Sequence, residues 1–338
     1  MAQTAAKIFQ PGTSLESPLK EITRPVQPHL EEFRSFFRSS VRTDVFLLDR
    51  ILHYLHRQKG KEIRPILIFM TARMFGEIDR RSYVAATMIE LLHTATLIHD
   101  DVVDESNRRR GLLSINKLWR NKAGVLLGDF LLSKGLLIAL DNKEYSLLHV
   151  LSTAVRKMSE GELRQLKTSR LFNMTEERYF QIISEKTASL IASCCECGAI
   201  ATGADVAVQQ EMQEIGMKIG IAFQIMDDLF DYGLKDVGKP KRNDIQERKV
   251  TLPLIKALEQ SSRMEQLQIR RLMRKRKKRS RDVEAIVEFV HEKGGIGQAR
   301  QIMESIADDA LDRLHQLPVQ RGYEDFKALV TYIITRDK

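Results

Sequence analysis

The sequence predicts an all-α protein whose helices are too long for a small bundle. Between Pro65 and Pro240 the chain contains no proline. Because a proline inside a helix costs roughly 3 kcal/mol, so long a stretch without one favours helices. Apolar residues recur at steps of three and four in residues 84–98 and 212–230, which is the spacing of one helix face. Alternating patterns typical of strands are scarce.

The N-terminal segment differs from this helical part in its proline content. Four of the eight prolines lie in the first 28 residues: Pro11, Pro18, Pro25 and Pro28. We therefore expect residues 1–28 to form an irregular tail. Residues 29–338 are expected to form one large helical domain, which the chain length allows.

Composition narrows the classes of partner. The formal net charge is +9, which favours anionic partners such as phosphates, nucleic acid or an acidic membrane surface. Cys194, Cys195 and Cys197 lie in one short stretch, unlike the spread-out cysteines of a disulfide framework, so we expect a reducing cytoplasm and buried thiols. No signal-peptide pattern opens the chain, and no uncharged run reaches about 18 residues, so a membrane span is not expected.

Two aspartate motifs with the same spacing stand out. Residues 98–111 read IHDDVVDESNRRRG, and residues 225–232 read IMDDLFDY. On a helix, positions i and i+4 share a face, and position i+1 lies three residues before i+4. Each motif therefore gathers three carboxylates at the end of an apolar helix, namely Asp100, Asp101 and Asp104, and Asp227, Asp228 and Asp231. One acidic patch is usually a solvated helix face, but two patches of identical spacing favour a shared ligand.

A diphosphate bridged by Mg²⁺ is the ligand that best suits these carboxylates. Mg²⁺ takes few carboxylates and completes its shell with water and substrate phosphates, whereas an EF-hand calcium site needs a loop spacing that this sequence lacks. The arginines at 108–110 carry forked donors for the remaining phosphate charge. Without a metal, mutual repulsion should raise the pKa of some of these carboxylates.

Beyond the motifs, a series of segments in order resembles the trans-polyprenyl diphosphate synthases, the head-to-tail prenyltransferases. The segments are KGKEIRP (59–65), ELLHTATLIHDDVVDESNRRRG (90–111), VLLGDFLL (125–132), EGELRQL (160–166), KTASL (186–190), AFQIMDDLFDY (222–232) and GKPKRNDIQERKVTLP (238–253). The stretch HTATLIHDDVVDES most resembles the long-chain enzymes of the octaprenyl type. The resemblance implies the isoprenoid synthase fold, a single large bundle of long helices around a central cavity.

The resemblance also implies a reaction. An allylic diphosphate loses its diphosphate to give an allylic cation, and the double bond of isopentenyl diphosphate attacks that cation. Loss of a proton then leaves a chain one isoprene unit longer. Cations must stabilise the leaving group, and an apolar cavity must exclude water. The expected enzyme is a cytoplasmic homodimer that makes long all-trans polyprenyl diphosphates, with quinone side chains as their use.

Matching positions to the family assigns a role to each candidate residue. Mg²⁺ would be held chiefly by Asp100, Asp104 and Asp227, with Asp101, Asp228 and Asp231 in support. The allylic diphosphate would contact Arg109, Lys186, Thr187, Gln224, Lys239 and Lys249. The isopentenyl diphosphate would contact Lys61, Arg64, His93 and Arg110 without metal.

Product length is expected to depend on the helix that leads into the first motif. Short-chain members of the family tend to carry aromatic residues near positions 95–96, whereas Ala95 and Thr96 are small. A channel should therefore stay open past the first turn towards Leu92, and each further turn adds about 5.4 Å. The alternative is that Ala95 and Thr96 only allow close helix packing.

Three positions depart from the family pattern. Lys59 stands where glycine is common, and Arg242 and Arg248 replace glycines in the 238–249 loop. Because glycine reaches positive φ without steric cost and arginine does not, we expect this loop to close differently over the substrates.

Other interpretations remain open at this point. The basic run RKRKKRSR at 274–281 suits a solvated linker between two helices, or peripheral contact with an anionic membrane, better than nucleic acid. A shorter-chain farnesyl or geranylgeranyl diphosphate synthase and a subunit of a heteromeric synthase are the alternative functions. A non-catalytic subunit would be expected to lose an aspartate motif. A terpene cyclase would be expected to carry a mixed Asn/Asp, Ser/Thr and Glu pattern in place of DDLFD.

Overall fold

A computed structural model describes residues 18–56, 60–109, 112–171, 174–233, 243–319 and 321–336. Within these ranges the helices are α1 (Pro18–Thr23), α2 (Gln27–Ser40), α3 (Phe46–His56), α4 (Ile63–Phe75), α5 (Arg80–Val103), α6 (Ile115–Asp141), α7 (Tyr145–Leu171), α8 (Glu176–Ile183), α9 (Ser189–Ala201), α10 (Val206–Phe230), α11 (Asn243–Gln246), α12 (Leu252–Glu259), α13 (Arg263–Arg274), α14 (Ser280–Glu292), α15 (Gly295–His315) and α16 (Tyr323–Thr335). A 3₁₀ turn, Arg24–Val26, separates α1 from α2, and a π-helical segment, Ser184–Ala188, joins α8 to α9.

The prediction of an all-α protein with long helices is confirmed. The helices α5, α6, α7 and α10 have 24, 27, 27 and 25 residues. In the described part of the chain, strands are limited to β1 (Arg108–Arg109) and β2 (Leu112–Leu113), which pair antiparallel directly after the first aspartate motif.

The helices α5 and α9 lie in the hydrophobic core and are buried on nearly all sides. Asp79 caps the N-terminus of α5, where its side chain accepts two backbone N–H groups. Every residue of α9 except Glu196 is buried, including the three cysteines. Burial raises the pKa of Cys195 to about 12 and raises those of Cys194 and Cys197. These thiols pack the core, as the sequence predicted, and are not nucleophiles.

Two glycines one turn apart bring α10 against α9 and the π-helical segment. A Cβ on Gly216 would lie 2.7 Å from the Cα of Ala192, and a Cβ on Gly220 would lie 2.5 Å from the Cα of Ala188. Only glycine permits so close a backbone approach. The contact therefore fixes the C-terminal end of α10, which carries the second aspartate motif, beside residues 184–188.

The prediction of an irregular tail to residue 28 is wrong for residues 18–28, which are helical. Pro25 lies in the first turn of the 3₁₀ segment and Pro28 in the first turn of α2. A proline is tolerated there because the first backbone N–H groups of a helix have no intrahelical partner. Val26, Leu30 and Phe33 are buried in the main core. Residues 1–17 lie outside the described residues.

One described helix, α6, is long and apolar enough to cross a membrane by length and composition, a test that many core helices also pass. It carries Asp129 and Lys134 within its apolar stretch. The chain departs from helical geometry at Arg120, where φ is 69°. About a third of the apolar stretch is buried, and a set of aliphatic side chains remains exposed on it: Leu118, Val125, Leu126, Leu136, Leu137 and Leu140.

Candidate active site

The two aspartate motifs lie at the C-terminal ends of α5 and α10, as the sequence predicted. Asp100 and Asp101 are in the last turn of α5, and Asp104 is its C-cap. Asp227 and Asp228 are in the last turn of α10, with Asp231 as its C-cap. The C-terminal end of a helix carries partial negative charge, so it disfavours carboxylates. Six acids placed there require cations nearby.

The two motifs share a neighbouring cation. The charge of Lys249 favours the ionised forms of both Asp104 and Asp231, and the charge of Glu247 opposes them. Such coupling falls off with distance. Lys249 and Glu247 therefore lie near both helix ends.

The middle acid of each motif is buried, whereas the outer acids are accessible. Asp101 and Asp228 are 3% and 2% exposed. Asp228 accepts a hydrogen bond from the Tyr179 hydroxyl at 2.7 Å through Oδ2, and from the Gln224 amide at 2.8 Å through Oδ1. Each oxygen of Asp228 thus accepts a hydrogen bond from another side chain of the protein. These contacts argue against the predicted role of Asp228 as a direct metal ligand, which stays a prediction. Asp101 is buried as well.

Burial is the main reason that the pKa values of the motif carboxylates rise. It raises the pKa of Asp228 to about 8 and that of Asp231 to about 6, with the charge of Asp244 as the next cause. Burial also raises the pKa of Asp104 and of Asp227. The predicted rise is confirmed, but desolvation outweighs the mutual repulsion that was its expected cause.

Asp244 is a further acid of the site that the motif spacing did not reveal. Its backbone N–H donates to Asp231 Oδ2 at 2.6 Å. Lys249 Nζ lies 3.3 Å from Asp244 Oδ1 and 2.7 Å from Glu247 Oε2. Burial opposes the charged form of Lys249, but these two carboxylates prevail and raise its pKa. Asp244 lies in the GKPKRNDIQERK segment, and the resemblance of this segment to the family is the sequence feature that could have identified it.

Arg248, in the loop after α11, has a backbone conformation typical of glycine. This residue has φ of 66°, in the left-handed region that costs a non-glycine residue roughly 1–2 kcal/mol. At this position arginine adopts the conformation that glycine favours. The expectation that the loop closes differently over the substrates stays a prediction. Arg242 and Lys239 lie outside the described residues.

Three of the residues predicted to contact the allylic diphosphate come together. Lys186 and Thr187 lie in the π-helical segment, a distortion that is frequent at functional sites. The Thr187 hydroxyl donates to Gln224 Oε1 at 2.9 Å, which continues the hydrogen-bond chain to Asp228. Lys186 pairs with Glu162 and donates to Gln165 Oε1 at 3.4 Å. The side chain of Arg109, on β1, lies outside the described residues.

The residues predicted to contact isopentenyl diphosphate lie on α4, on α5 and just before α4. Arg64 makes a two-pronged ion pair with Glu90, with N–O distances of 2.9 and 3.1 Å. His93 follows Glu90 by one turn of α5 and is half-buried. Lys61 donates to the Tyr332 hydroxyl at 3.2 Å, and its charge favours ionised Asp227. Arg110 lies outside the described residues.

Ala95 and Thr96 lie in different environments, although they are adjacent in α5. Ala95 is fully buried with Ile98, Leu127 and Leu131, where α5 packs on α6. This supports the packing alternative for Ala95. Thr96 is half-buried, and its hydroxyl donates to the His93 carbonyl at 2.9 Å. Leu92 is buried in the main core.

The basic run at 274–281 extends from the end of α13 into the start of α14, with residues 275–279 as the linker, and most of it is exposed. Lys275 pairs with Asp282 at 2.7 Å. Lys278 is buried, and burial with the charge of Arg248 lowers its pKa to about 8. The prediction of a fully solvated linker is therefore wrong for Lys278.

The donor set fits a hard divalent cation. Asp100, Asp104, Asp227 and Asp231 offer carboxylate oxygens, and Asp104 is exposed while the others are half-buried. Within the described ranges, no three His, Cys, Asp or Glu side chains are close enough to hold a metal by themselves. Such a donor set suits Mg²⁺, which leaves much of its shell to water and phosphate oxygens.

The helical bundle and its two aspartate clusters define an enzyme of the isoprenoid synthase class. The chain belongs to the polyprenyl synthetase family, whose model matches residues 45–290. The family membership that the sequence segments implied is thus confirmed.

The similar proteins include long-chain synthases, alongside geranylgeranyl diphosphate synthases and a component of a heptaprenyl diphosphate synthase. The octaprenyl diphosphate synthase of Escherichia coli (strain K12) is 34% identical over 300 residues, which are 88% of this chain and 93% of that relative. The crystal structure of a decaprenyl diphosphate synthase from Rhodobacter capsulatus superposes with a TM-score of 0.89 at 31% identity, covering 95% of this chain and 100% of the other. A polyprenyl synthase from Caulobacter crescentus CB15, complexed with calcium and isoprenyl diphosphate, has a TM-score of 0.87 at 29% identity, covering 97% and 100%.

We predict that the metal-free protein loses stability as pH rises from about 4 to about 8. The folded-state pKa of Asp228 is about 8 and that of Asp231 about 6, both above the unfolded values. The folded state therefore holds protons that the unfolded state has released. The free energy of unfolding should fall by up to about 1.4 kcal/mol per pH unit for each such group.

Urea unfolding in EDTA across this pH range measures the slope. The Asp228→Asn variant cannot release this proton and should show a clearly shallower decline between pH 6 and 8. Equal slopes for wild type and variant would contradict the assignment.

Proposed function

We propose that this protein condenses isopentenyl diphosphate with an allylic diphosphate and repeats the step to make a long-chain all-trans polyprenyl diphosphate. The observation that carries the proposal is the pair of aspartate clusters at the ends of α5 and α10, with Lys249 near both. The names of the octaprenyl and decaprenyl synthases among its relatives support the product class.

Mg²⁺ is the cation that we assign to this site. When bound, it would neutralise charge that develops on the departing diphosphate. Asp100, Asp104 and Asp227, with Asp231, would hold it. The complex of a structural neighbour with calcium and isoprenyl diphosphate supports a divalent cation beside a diphosphate.

The remaining polar residues bind and orient the two substrates. Lys186, Thr187 and Gln224 would contact the allylic diphosphate, and the hydrogen bonds from Thr187 through Gln224 to Asp228 hold their side chains in place. Lys61, Arg64 and His93 would hold isopentenyl diphosphate. Arg64 is already oriented by Glu90, which limits the entropy lost on binding.

The exposed apolar face of α6 supports a homodimer. Six aliphatic side chains are exposed along this helix, and monomers rarely expose large contiguous apolar patches. A second copy of the same chain can cover this face by two-fold symmetry. We further propose a cytoplasmic enzyme that supplies quinone side chains and touches anionic membrane through the exposed part of residues 274–281.

Purified protein incubated with labelled isopentenyl diphosphate, farnesyl diphosphate and Mg²⁺ should make products much longer than its primer. Asp227→Ala should lower kcat by about a hundredfold or more, because it removes a ligand whose effect is greatest in the transition state. Asp309→Ala is the matched control, since Asp309 pairs with Lys218 on the surface. Turnover of Asp227→Ala within threefold of wild type would reject the metal assignment.

Thr96→Phe should shorten the product to a few isoprene units while the first condensation continues. Ala95→Phe should instead overpack the contact between α5 and α6 and lower the free energy of unfolding by about 1–3 kcal/mol. Chromatographic sizing of products and urea unfolding measure the two effects. If Thr96→Phe makes products of wild-type length, Thr96 does not line the product channel.

Introducing charge on the exposed face of α6 should dissociate the dimer. Leu126 and Leu137 are 69% and 50% exposed, so the double change Leu126→Glu and Leu137→Glu should leave the fold intact. Sedimentation equilibrium should show a dimer for wild type and a monomer for the variant. Leu267→Glu on α13 is the control, because Leu267 is also exposed. An unchanged mass for the variant would place the interface elsewhere.

A further inference from the structure

The end of α16 contacts two parts of the candidate active site, namely Lys61 before α4 and Asp227 at the end of α10. Tyr332 and Arg336 are one helical turn apart at the end of this helix. The Tyr332 hydroxyl accepts from Lys61, whose ammonium also lies 5.6 Å from the centre of the tyrosine ring. Arg336 forms an ion pair with Asp227 of the second aspartate motif. Neither residue belongs to a sequence motif of the site.

Arg336 is held by aromatic rings as well as by charge. Its guanidinium lies 4.0 Å from the ring centre of Phe223 and 6.0 Å from that of Phe230. Both rings come from α10, one on either side of Asp227 in sequence. The arginine side chain is 8% exposed. A guanidinium stacked on aromatic rings has little freedom, so its donors point in a fixed direction.

The arginine donates to only one of the two oxygens of Asp227. Arg336 Nη2 donates to Oδ1, and among the described residues no hydrogen bond reaches Oδ2. The Asp227 side chain is 42% exposed. Asp227 thus differs from Asp228, whose two oxygens are both engaged by protein donors.

We propose that Arg336 is a positioning residue that fixes the orientation of Asp227, so that Oδ2 faces the divalent cation. This inference rests on the proposed function, which places the cation at Asp227. Groups that hydrogen-bond to a metal ligand commonly set its orientation, and their loss weakens metal affinity roughly 10–100-fold. A carboxylate crowded by other acids at a helix end needs such a constraint, because repulsion alone would turn it towards solvent.

The planar, forked guanidinium suits this positioning role better than an ammonium does. Lysine would keep the positive charge but lose the planar group that stacks on Phe223 and aims at one oxygen. Arg336→Lys should therefore retain only part of the effect, and Arg336→Gln should lose it. Arg321 offers a matched control, because it is a C-terminal arginine that pairs with Glu77 away from the aspartate motifs.

Binding of Mn²⁺ in the presence of inorganic diphosphate, followed by electron paramagnetic resonance, gives a readout that does not depend on turnover. Arg336→Gln should weaken the Mn²⁺ Kd at least tenfold, Arg336→Lys should weaken it about threefold, and Arg321→Gln should leave it unchanged. The Mg²⁺ concentration for half-maximal turnover should shift by similar factors, while the KM for isopentenyl diphosphate changes less than threefold. If circular dichroism shows that Arg336→Gln does not fold, the Mn²⁺ Kd of Arg336→Lys is the test. A weakening of about threefold supports the inference, and an unchanged Kd rejects it.

Two results would overturn this inference while leaving the proposed function intact. An unchanged Mn²⁺ Kd in Arg336→Gln would mean that the ion pair only anchors α16. Tighter binding would mean that the guanidinium competes with the metal. Failure of the wild type itself to bind Mn²⁺ would instead reject the metal site on which the proposed function depends.

Discussion

The concentration of carboxylates at the C-terminal ends of two buried helices is the constraint on which the rest of the site depends. Both the helix dipole and burial disfavour negative charge at these positions. The protein offsets part of this cost with its own cations, because Lys249 lies near both clusters and Arg336 pairs with Asp227. The pKa of Asp228 still rises to about 8. The charge that remains uncompensated makes the site a strong acceptor for a divalent cation that carries a diphosphate.

Close packing of helices in the core holds these carboxylates beside the residues that are predicted to bind substrate. Gly216 and Gly220 allow α10 to approach the backbone of α9 and the π-helical segment. That approach lets Thr187 reach Gln224, and Gln224 in turn reaches Asp228. A buried acid that was expected to bind metal therefore acts as the fixed end of a hydrogen-bond chain. The same chain links the second aspartate motif to residues that are predicted to contact the allylic diphosphate.

The sequence predicts what depends on local spacing. Helix periodicity, the absence of proline over 66–239 and the spacing of the aspartates correctly predict long helices with acids at their ends. What it misses depends on contacts between distant segments. Tyr179 and Arg336 meet the second motif only in the folded chain, and burial of Asp228 is invisible in a motif. Pro25 and Pro28 were misread because a proline at the start of a helix looks the same in sequence as one in a loop.

The most direct test of the account is to locate the metal. A crystal of the protein grown with Mn²⁺ and inorganic diphosphate should show anomalous scattering between the ends of α5 and α10. We expect metal bound to oxygens of Asp100 or Asp104 and of Asp227, with Asp228 still held by Tyr179 and Gln224. Metal bound directly by Asp228, or anomalous density remote from both motifs, would contradict it.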